Sequence, residues 1–374
     1  MGKPSGATSF FVPRYIPQLD GLRGIATLLV LTAHAAFYVP GQPFAWAWEY
    51  AKYVRFGLDL FFVLSGFLIT GILLDSQGSQ NYFRNFYGRR LLRIWPLYYL
   101  ILCLVFVVAP LFRSAMQPTV SRIWPAFVFY VQNIVYHNMY PFGLGATWSL
   151  AVEEQFYLTW PVFVFLLRKE ALSILCVCLV VLSTCVRLTS YFHGAPPNFP
   201  HRFTFARLDA IAFGSLAAIW LRSPSCTLTR WRTHSYRFLG LGVTGAALVR
   251  VVMPMNSSVI AYTFMAIAFT GLLGISLVPE FQPSLLGRGL SAGGLRYIGK
   301  ISYGLYLWHL PLFILWTRFL NSKHFLGSSP VARNLFAFFT ELLLALVVAS
   351  ISWRLFEEPI LRLKRMLPSG GTRA

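Results

Sequence analysis

Mostly apolar runs recur along the chain at roughly 24–40, 56–74, 94–112, 147–167, 171–190, 207–221, 238–252, 259–278, 301–317 and 335–356. Crossing a bilayer takes about 20 such residues in a helix, so these ten runs read as membrane spans. An eleventh run at 123–136 contains Gln132 and Asn133 and is bracketed by Arg122 and His137. It reads as an interfacial or re-entrant piece. The pattern predicts an all-α polytopic bundle of about ten spans. A cytoplasmic tail at 1–13, a membrane domain at 14–363 and a short basic tail at 364–374 complete the expected organisation, and no linker or fixed-period repeat marks a second domain.

The charges fix an orientation for these spans. With ten spans and the N-terminus inside, twenty Lys and Arg fall in cytoplasmic segments and eight in outer loops. The bias follows the positive-inside rule and predicts that both termini are cytoplasmic. Counting 123–136 as a full span would reverse every later loop. Composition agrees: of 374 residues 56% are hydrophobic and 12% charged, too few polar side chains to cover a soluble globule, and too many Phe, Leu and Val for disorder. The net charge of +20 sits in short clusters between apolar runs, which points to lipid headgroups or a phosphorylated substrate and away from nucleic acid. A multi-pass protein of the cell (inner, cytoplasmic) membrane is the expectation.

The first run ends in Ala33-His34-Ala35, which mimics a signal-peptide cleavage site. The segment before it, RYIPQLDGLRG, is long and contains Asp20, so it reads as an ordered helix entry with Asp20 as N-cap. Cleavage is not expected. Cys103, Cys176, Cys178 and Cys185 lie in apolar runs and Cys226 in a Ser/Thr-rich loop. No spacing indicates a disulfide framework or a metal site.

Ionisable residues inside spans are costly and usually face a cavity or a partner. They are His34, Asp59, Glu153-Glu154, Arg187, Arg207 with Asp209, Arg250, His309, Glu341 and Arg354. His34 follows Arg23 by eleven residues, roughly 16 Å along a helix, which puts it past the midplane toward the outside. Asp59, Glu153, Glu154, Arg207 and Asp209 begin spans that run inward and so share that outer layer. An imidazole and a carboxylate at one depth can form the pair that general base catalysis uses. Otherwise His34 is a structural histidine bonded to a neighbouring helix. Only one of Glu153 and Glu154 can reach a given site, because adjacent helical residues diverge by about 100°. Arg207 with Asp209, and Arg354 with Glu357 or Glu358, read as structural pairs. His309 is either a packing or a lining residue. Arg84, Arg89, Arg90 and Arg93, beside Trp95 and Tyr98, can offer bidentate phosphate contacts and an aromatic face; composition alone makes them a positive-inside anchor.

The strings LDGLRGIATLLVLTAH, GLDLFFVLSGFLIT, RRLLRIWPLYY, TWSLAVEEQFYLTWP, RLDAIAFGSLAA, YIGKISYGLYLWHLPL and WRLFEEPILRL occur in this order over about residues 14–363. Together they resemble the acyltransferase 3 family, integral membrane O-acyltransferases that move acyl groups, often acetyl, from acyl-CoA to hydroxyls of envelope polysaccharides, lipid-linked sugars and similar acceptors. The resemblance implies an enzyme that transfers groups other than amino-acyl groups, with acyl-CoA as donor substrate and no tightly bound cofactor or metal. It maps the family's first-span arginine and histidine onto Arg23 and His34, and its glutamate onto Glu153 or Glu154. Acyl-CoA is then expected on Arg14, Arg23, Arg84, Arg89, Arg90 and Arg93, with His34, oriented by Glu153 or Glu154, deprotonating an acceptor hydroxyl or taking the acyl group itself. Some members carry an extra C-terminal SGNH-type domain; with the chain ending at Ala374, completion by the membrane core or hand-over to another protein is expected. A proton-coupled transporter of a small or glycan-like solute is the alternative. Such a protein should show two related halves with broken helices, and no such symmetry is evident. A silent envelope scaffold is disfavoured by the retention of Arg23 and His34.

Overall fold

The computed structural model describes residues 15–38, 56–112, 117–136, 140, 143–196, 198–253, 258–323 and 330–367. All regular structure among them is helical. The principal helices are α1 (Pro17–Tyr38), α2 (Gly57–Asp75), α3 (Tyr82–Cys103), α4 (Gln117–Val128), α5 (Gln132–Val135), α6 (Thr147–Leu166), α7 (Lys169–Phe192), α8 (Leu208–Leu221), α9 (Leu228–Val252), α10 (Ser258–Ser276), α11 (Gly293–Lys300), α12 (Ser302–Lys323) and α13 (Pro330–Ser352).

Among the described residues six stretches are long and apolar enough to cross a membrane: 57–75, 82–111, 169–192, 228–252, 259–276 and 332–366. The protein is therefore a multi-pass membrane protein. The other apolar runs are helical too, but α8 is short, with 14 residues, and α1, α6 and α12 carry Arg23 and His34, Glu153 and Glu154, and His309. Polar residues inside a span lower its hydropathy, and here they belong to the helices that build the site.

Helix α1 starts at Pro17, whose missing N–H costs nothing in a first turn. Asp20 is thus not the N-cap; it lies within the first turn and accepts a hydrogen bond from the Tyr15 hydroxyl at 2.9 Å. The run 123–136 is broken at Tyr130, whose φ is +54°, into α4 and α5, neither long enough to span. Its polar residues turn inward. Gln132 donates to the Thr147 carbonyl at 3.0 Å, and Asn133 donates to Thr204 Oγ1 at 2.8 Å.

The core runs through α1, α2, α3, α6 and α8, with Leu22, Phe62, Tyr98, Trp160 and Ile211 fully enclosed. Helices α2 and α8 approach so closely that a side chain on Gly66 would meet the Ile211 carbonyl and one on Gly214 the Val63 carbonyl. Small residues at such crossings let backbones touch where no hydrophobic force between helices is available. A polar chain ties α6 to both: Trp160 Nε1 donates to Thr70 Oγ1, and Thr70 donates to Ser215 Oγ, each at 2.8 Å.

The buried ion pairs differ from the sequence expectation. Arg207 reaches Asp59 on α2 at 2.6 Å, and Asp209 takes Arg187 of α7 at 2.8 Å, so Arg207 and Asp209 do not pair with each other. Residues two apart on a helix point to different sides, and each finds its partner across an interface. Among the described residues Arg354 forms no ion pair with Glu357 or Glu358; Glu357 instead accepts from Ser352 Oγ at 3.1 Å. The five cysteines are thiols without a disulfide.

Candidate active site

Five helices contribute side chains to one cavity of about 200 Å³. Arg23 comes from α1, Phe61, Ser65, Leu68 and Ile72 from α2, Arg90, Arg93 and Ile94 from α3, Ser149, Glu153 and Tyr157 from α6, and Ser302, Tyr303 and Tyr306 from α12. Phe61, Ser65, Leu68 and Ile72 on α2, and Ser149, Glu153 and Tyr157 on α6, recur every three or four residues, the spacing that puts side chains on one helical face. Three guanidinium groups face one carboxylate here, so the cavity favours an anion.

Glu153 is held from two sides, by Ser65 Oγ at 2.8 Å and by the Tyr157 hydroxyl at 3.2 Å. Glu154 is not part of the cavity lining. The two carboxylates diverge as their adjacency requires. Arg23 Nη2 reaches Ser302 Oγ at 3.4 Å, and the guanidinium of Arg90 lies 5.4 Å from the centre of the Tyr157 ring. The hydroxyls of Ser149 and Tyr306 hydrogen-bond to each other, and Tyr306 also donates to the Ala146 carbonyl at 2.7 Å.

A second cavity of about 200 Å³ adjoins the first and shares Arg23, Arg93 and Tyr303 with it. Its remaining lining includes Asp20, Lys300, Trp353 and Glu357, and the Lys300 ammonium stands 5.0 Å from the Trp353 ring centre. The arginine cluster of α3 is therefore divided by its helical positions. Arg90 and Arg93 face the cavity, Arg84 is exposed, and Arg89 donates to the Leu367 carbonyl at 2.6 Å. Tyr98 offers no open face, being buried and stacked on Tyr130 at 4.4 Å. Arg14 lies outside the described residues.

His34 meets neither glutamate. Its Nδ1 lies 2.9 Å from the Val30 carbonyl and 3.2 Å from Nε2 of His309, which is fully buried on α12. The expected depth match fails because Glu153 lines the cavity beside Arg23, and His34 sits about 16 Å further along α1. The hydrogen-bond network assigns the tautomers. His309 Nδ1 is 2.7 Å from the Tyr306 carbonyl, which only accepts, so Nδ1 carries the proton and Nε2 accepts. His34 Nδ1–H then points at both Val30 O and His309 Nε2, leaving His34 Nε2 with a lone pair that no hydrogen bond among the described residues uses. Such an arrangement suits a base whose partner fixes the ring, with a histidine in the role assigned from sequence to a carboxylate.

The sequence reading missed Ser65, Tyr157, Ser302, Tyr303 and Tyr306 and left His309 undecided. Their spacing was visible: Tyr157 follows Glu153 by four, and Tyr303, Tyr306 and His309 are three apart. Nothing in that spacing says which neighbour each face meets.

Fold and site together define a helical membrane protein with a basic cavity enclosed by its helices. The family model described as an acyltransferase domain, acyltransferase 3, matches residues 16–353, and the chain belongs to that family. It is similar to a Bacillus subtilis (strain 168) protein named as a candidate peptidoglycan O-acetyltransferase, with 31% identity over 93% of this chain and 55% of the relative. The peptidoglycan O-acetyltransferase OatA of Listeria monocytogenes is 28% identical over 94% of this chain and 57% of its own length. The O-acetyltransferase OatA of Staphylococcus aureus is 30% identical over 94% and 58%. The chain thus spans somewhat more than half the length of these curated relatives. No solved structure matches it.

Proposed function

We propose that the protein is an O-acyltransferase of the cytoplasmic membrane that moves an acyl group, acetyl in the simplest case, from acyl-CoA to a hydroxyl of a cell-envelope glycan such as peptidoglycan. The observation that carries this reading is a base-competent imidazole, His34 Nε2, fixed by His309 on the same helix that presents Arg23 to the basic cavity. In this reading the donor's phosphates bind Arg23, Arg93 and Lys300, with Arg84 and Arg89 at the entrance and Arg90 inside, and Trp353 supplies an aromatic face. The pantetheine arm lies along the Ser65, Glu153 and Tyr157 wall and carries the thioester toward His34. There His34 Nε2 accepts the acceptor's hydroxyl proton, the oxygen attacks the thioester carbonyl, the carbon–sulfur bond breaks, and CoA leaves as thiolate and takes up a proton. Glu153 supplies the counter-charge that the arginines lack when the donor is absent.

The test is transfer of labelled acetyl from acetyl-CoA to peptidoglycan fragments by membranes containing the protein. Label on the glycan and stoichiometric CoA thiol are expected. Solute movement without thiol release would establish the transporter reading instead, and neither signal the scaffold. Within this assay Arg93→Ala should raise the acetyl-CoA KM about tenfold, the effect of losing one charge-assisted phosphate contact, and added salt should mimic the change in wild type. A variant with unaltered KM would return Arg93 to the role of anchor.

The proposed topology has ten spans over 14–363 with both termini inside. Cysteine labelling should place positions near 80, 230 and 290 in the cytoplasm and those near 45, 195 and 325 outside. Outside labelling of the 222–237 loop would overturn this arrangement.

A further inference from the structure

Away from the active site, a groove runs down the bundle between α7, α8 and α9, with α10 behind it. Two adjoining cavities of about 420 and 470 Å³ share Trp220 and Phe238 and together form it. Its walls change character along their length. On α9, Arg230, His234 and Phe238 follow one another at intervals of four, an exposed guanidinium giving way to a half-buried imidazole and then a phenyl ring. On α8, which runs the opposite way, Trp220, Leu216 and Phe213 line the groove in the same order from end to depth. Phe213 is seven residues from Trp220, roughly 10 Å deeper.

The polar end carries two cations, Lys169 and Arg230, against one carboxylate, Glu170, and is rich in hydroxyls. Lys169 lines it from α7, and Ser223 and Ser225 cap it, their hydroxyls 2.9 Å apart. Lys169 Nζ is steadied by the Arg222 carbonyl at 3.2 Å, and Arg230 Nη1 by the Ser225 carbonyl at 3.2 Å, so both side chains are placed at the rim. Each uses one donor in that contact and has others to offer. Trp220 and Trp231, both in the groove wall, stack at 5.1 Å. The two long helices that flank the groove are weakly enclosed, with 22% of the α7 window and 11% of the α9 window buried in the protein. The groove therefore opens sideways into lipid.

A cationic, hydroxyl-lined rim above an apolar slot open to the bilayer matches one class of molecule. We infer that this groove binds an anionic phospholipid of the inner leaflet, its phosphate on Lys169 and Arg230 beside Ser223 and Ser225, and an acyl chain descending past Phe238 and Leu216 to Phe213. Charge selects the lipid. Arg168, Lys169, Arg230 and Arg237 lie at this end, while Arg222 and Arg232 are paired with Asp75 and Glu280, and an anionic headgroup is attracted by each nearby cation where a zwitterionic one is not. Length agrees as well: α8 has only 14 residues, too few to fill the hydrocarbon thickness, and the slot beside it gives that space to a lipid tail.

The experiment measures lipid retention and does not depend on any enzymatic activity. Detergent-purified protein is mixed with equal phosphatidylglycerol and phosphatidylcholine of matched chains, and bound lipid is counted by native mass spectrometry. Wild type should retain phosphatidylglycerol preferentially. Lys169→Gln and Arg230→Gln should each weaken that preference about fivefold, the effect of one cation near an anionic surface, and the pair should abolish it. Arg288→Gln, an exposed cation outside the groove, should leave it unchanged. Phe213→Trp, which fills the slot, should lower retention of both lipids. Equal retention of the two lipids by wild type, or undiminished preference in the double variant, would overturn the proposal. Both charge variants alter side chains at the rim, and their elution as folded monodisperse protein is checked first.

Discussion

His34→Ala protein is expected to insert normally, to bind acetyl-CoA, and to transfer no detectable acetyl. General base catalysis contributes roughly 10² to 10⁴ in rate, and a methyl group has no lone pair to take the acceptor's proton. His34→Asn should fail as well, because an amide hydrogen-bonds but does not accept the proton. The partner gives a graded result. Loss of a group that fixes a functional imidazole by hydrogen bonding costs on the order of 10 to 100-fold, so His309→Phe should lower kcat by that amount with KM for acetyl-CoA unchanged. His309→Gln retains an acceptor for His34 Nδ1–H and should recover part of the loss. Single-turnover transfer by membranes carrying equal amounts of each variant makes the comparison. A correctly inserted His34→Ala enzyme working at the wild-type rate would reduce His34 to a packing residue and remove the mechanism.

The largest stability effect should come from Arg187→Met. Arg187 is fully buried and bonds to five partners: Thr184 Oγ1 of its own helix at 3.4 Å, the Val259 carbonyl at 2.7 Å and Thr263 Oγ1 at 2.5 Å on α10, the Ala206 carbonyl at 2.5 Å in the 204–206 turn, and Asp209 Oδ2 at 2.8 Å on α8. Removing it leaves the Asp209 carboxylate, also fully buried, without its counter-charge. Breaking such a pair costs about 3–5 kcal/mol, and Asp209→Asn in the same chain should restore part of that. Arg222 and Asp75 approach more closely, at 2.6 Å, yet their side chains are 26% and 58% exposed. Water screens them, and Arg222→Met should cost less than about 1 kcal/mol. Thermal unfolding of detergent-purified protein ranks the variants. A ranking set by distance, with Arg222→Met the worse, would show that burial is not the deciding quantity.

Much of the site's chemistry was legible in the chain. Arg23, His34 and Glu153 stand out because a polar group in hydrocarbon needs a reason, and Glu153, Arg90 and Arg93 do share the cavity with Arg23. The partners were not legible. Depth along a span follows from counting residues, and counting placed Glu153 and His34 in one layer; it takes no account of where the binding cavity cuts across the bundle. Arg207 and Asp209 were paired because they are close in sequence, yet their side chains leave the helix in different directions, toward α2 and α7 respectively.

The sequence alone determined that this is a multi-pass helical membrane protein of the acyltransferase 3 type, because hydropathy, charge asymmetry and local strings are properties of segments. Its apolar runs became helices, and the run with Gln132 and Asn133 did not become a continuous one, since those amides bond to α6 and the 202–204 segment. Tertiary structure alone decided that His34 faces His309, that Glu153 faces Ser65 and Tyr157, and that Arg89 serves the C-terminal end while Arg90 and Arg93 serve the cavity. The reason is rotational. A span's sequence fixes which residues share a face and how deep they lie, but the turn of each helix about its axis is set by packing, here by the close α2–α8 crossing at Gly66 and Gly214 and the core around Leu22 and Phe62, and that turn selects the partner.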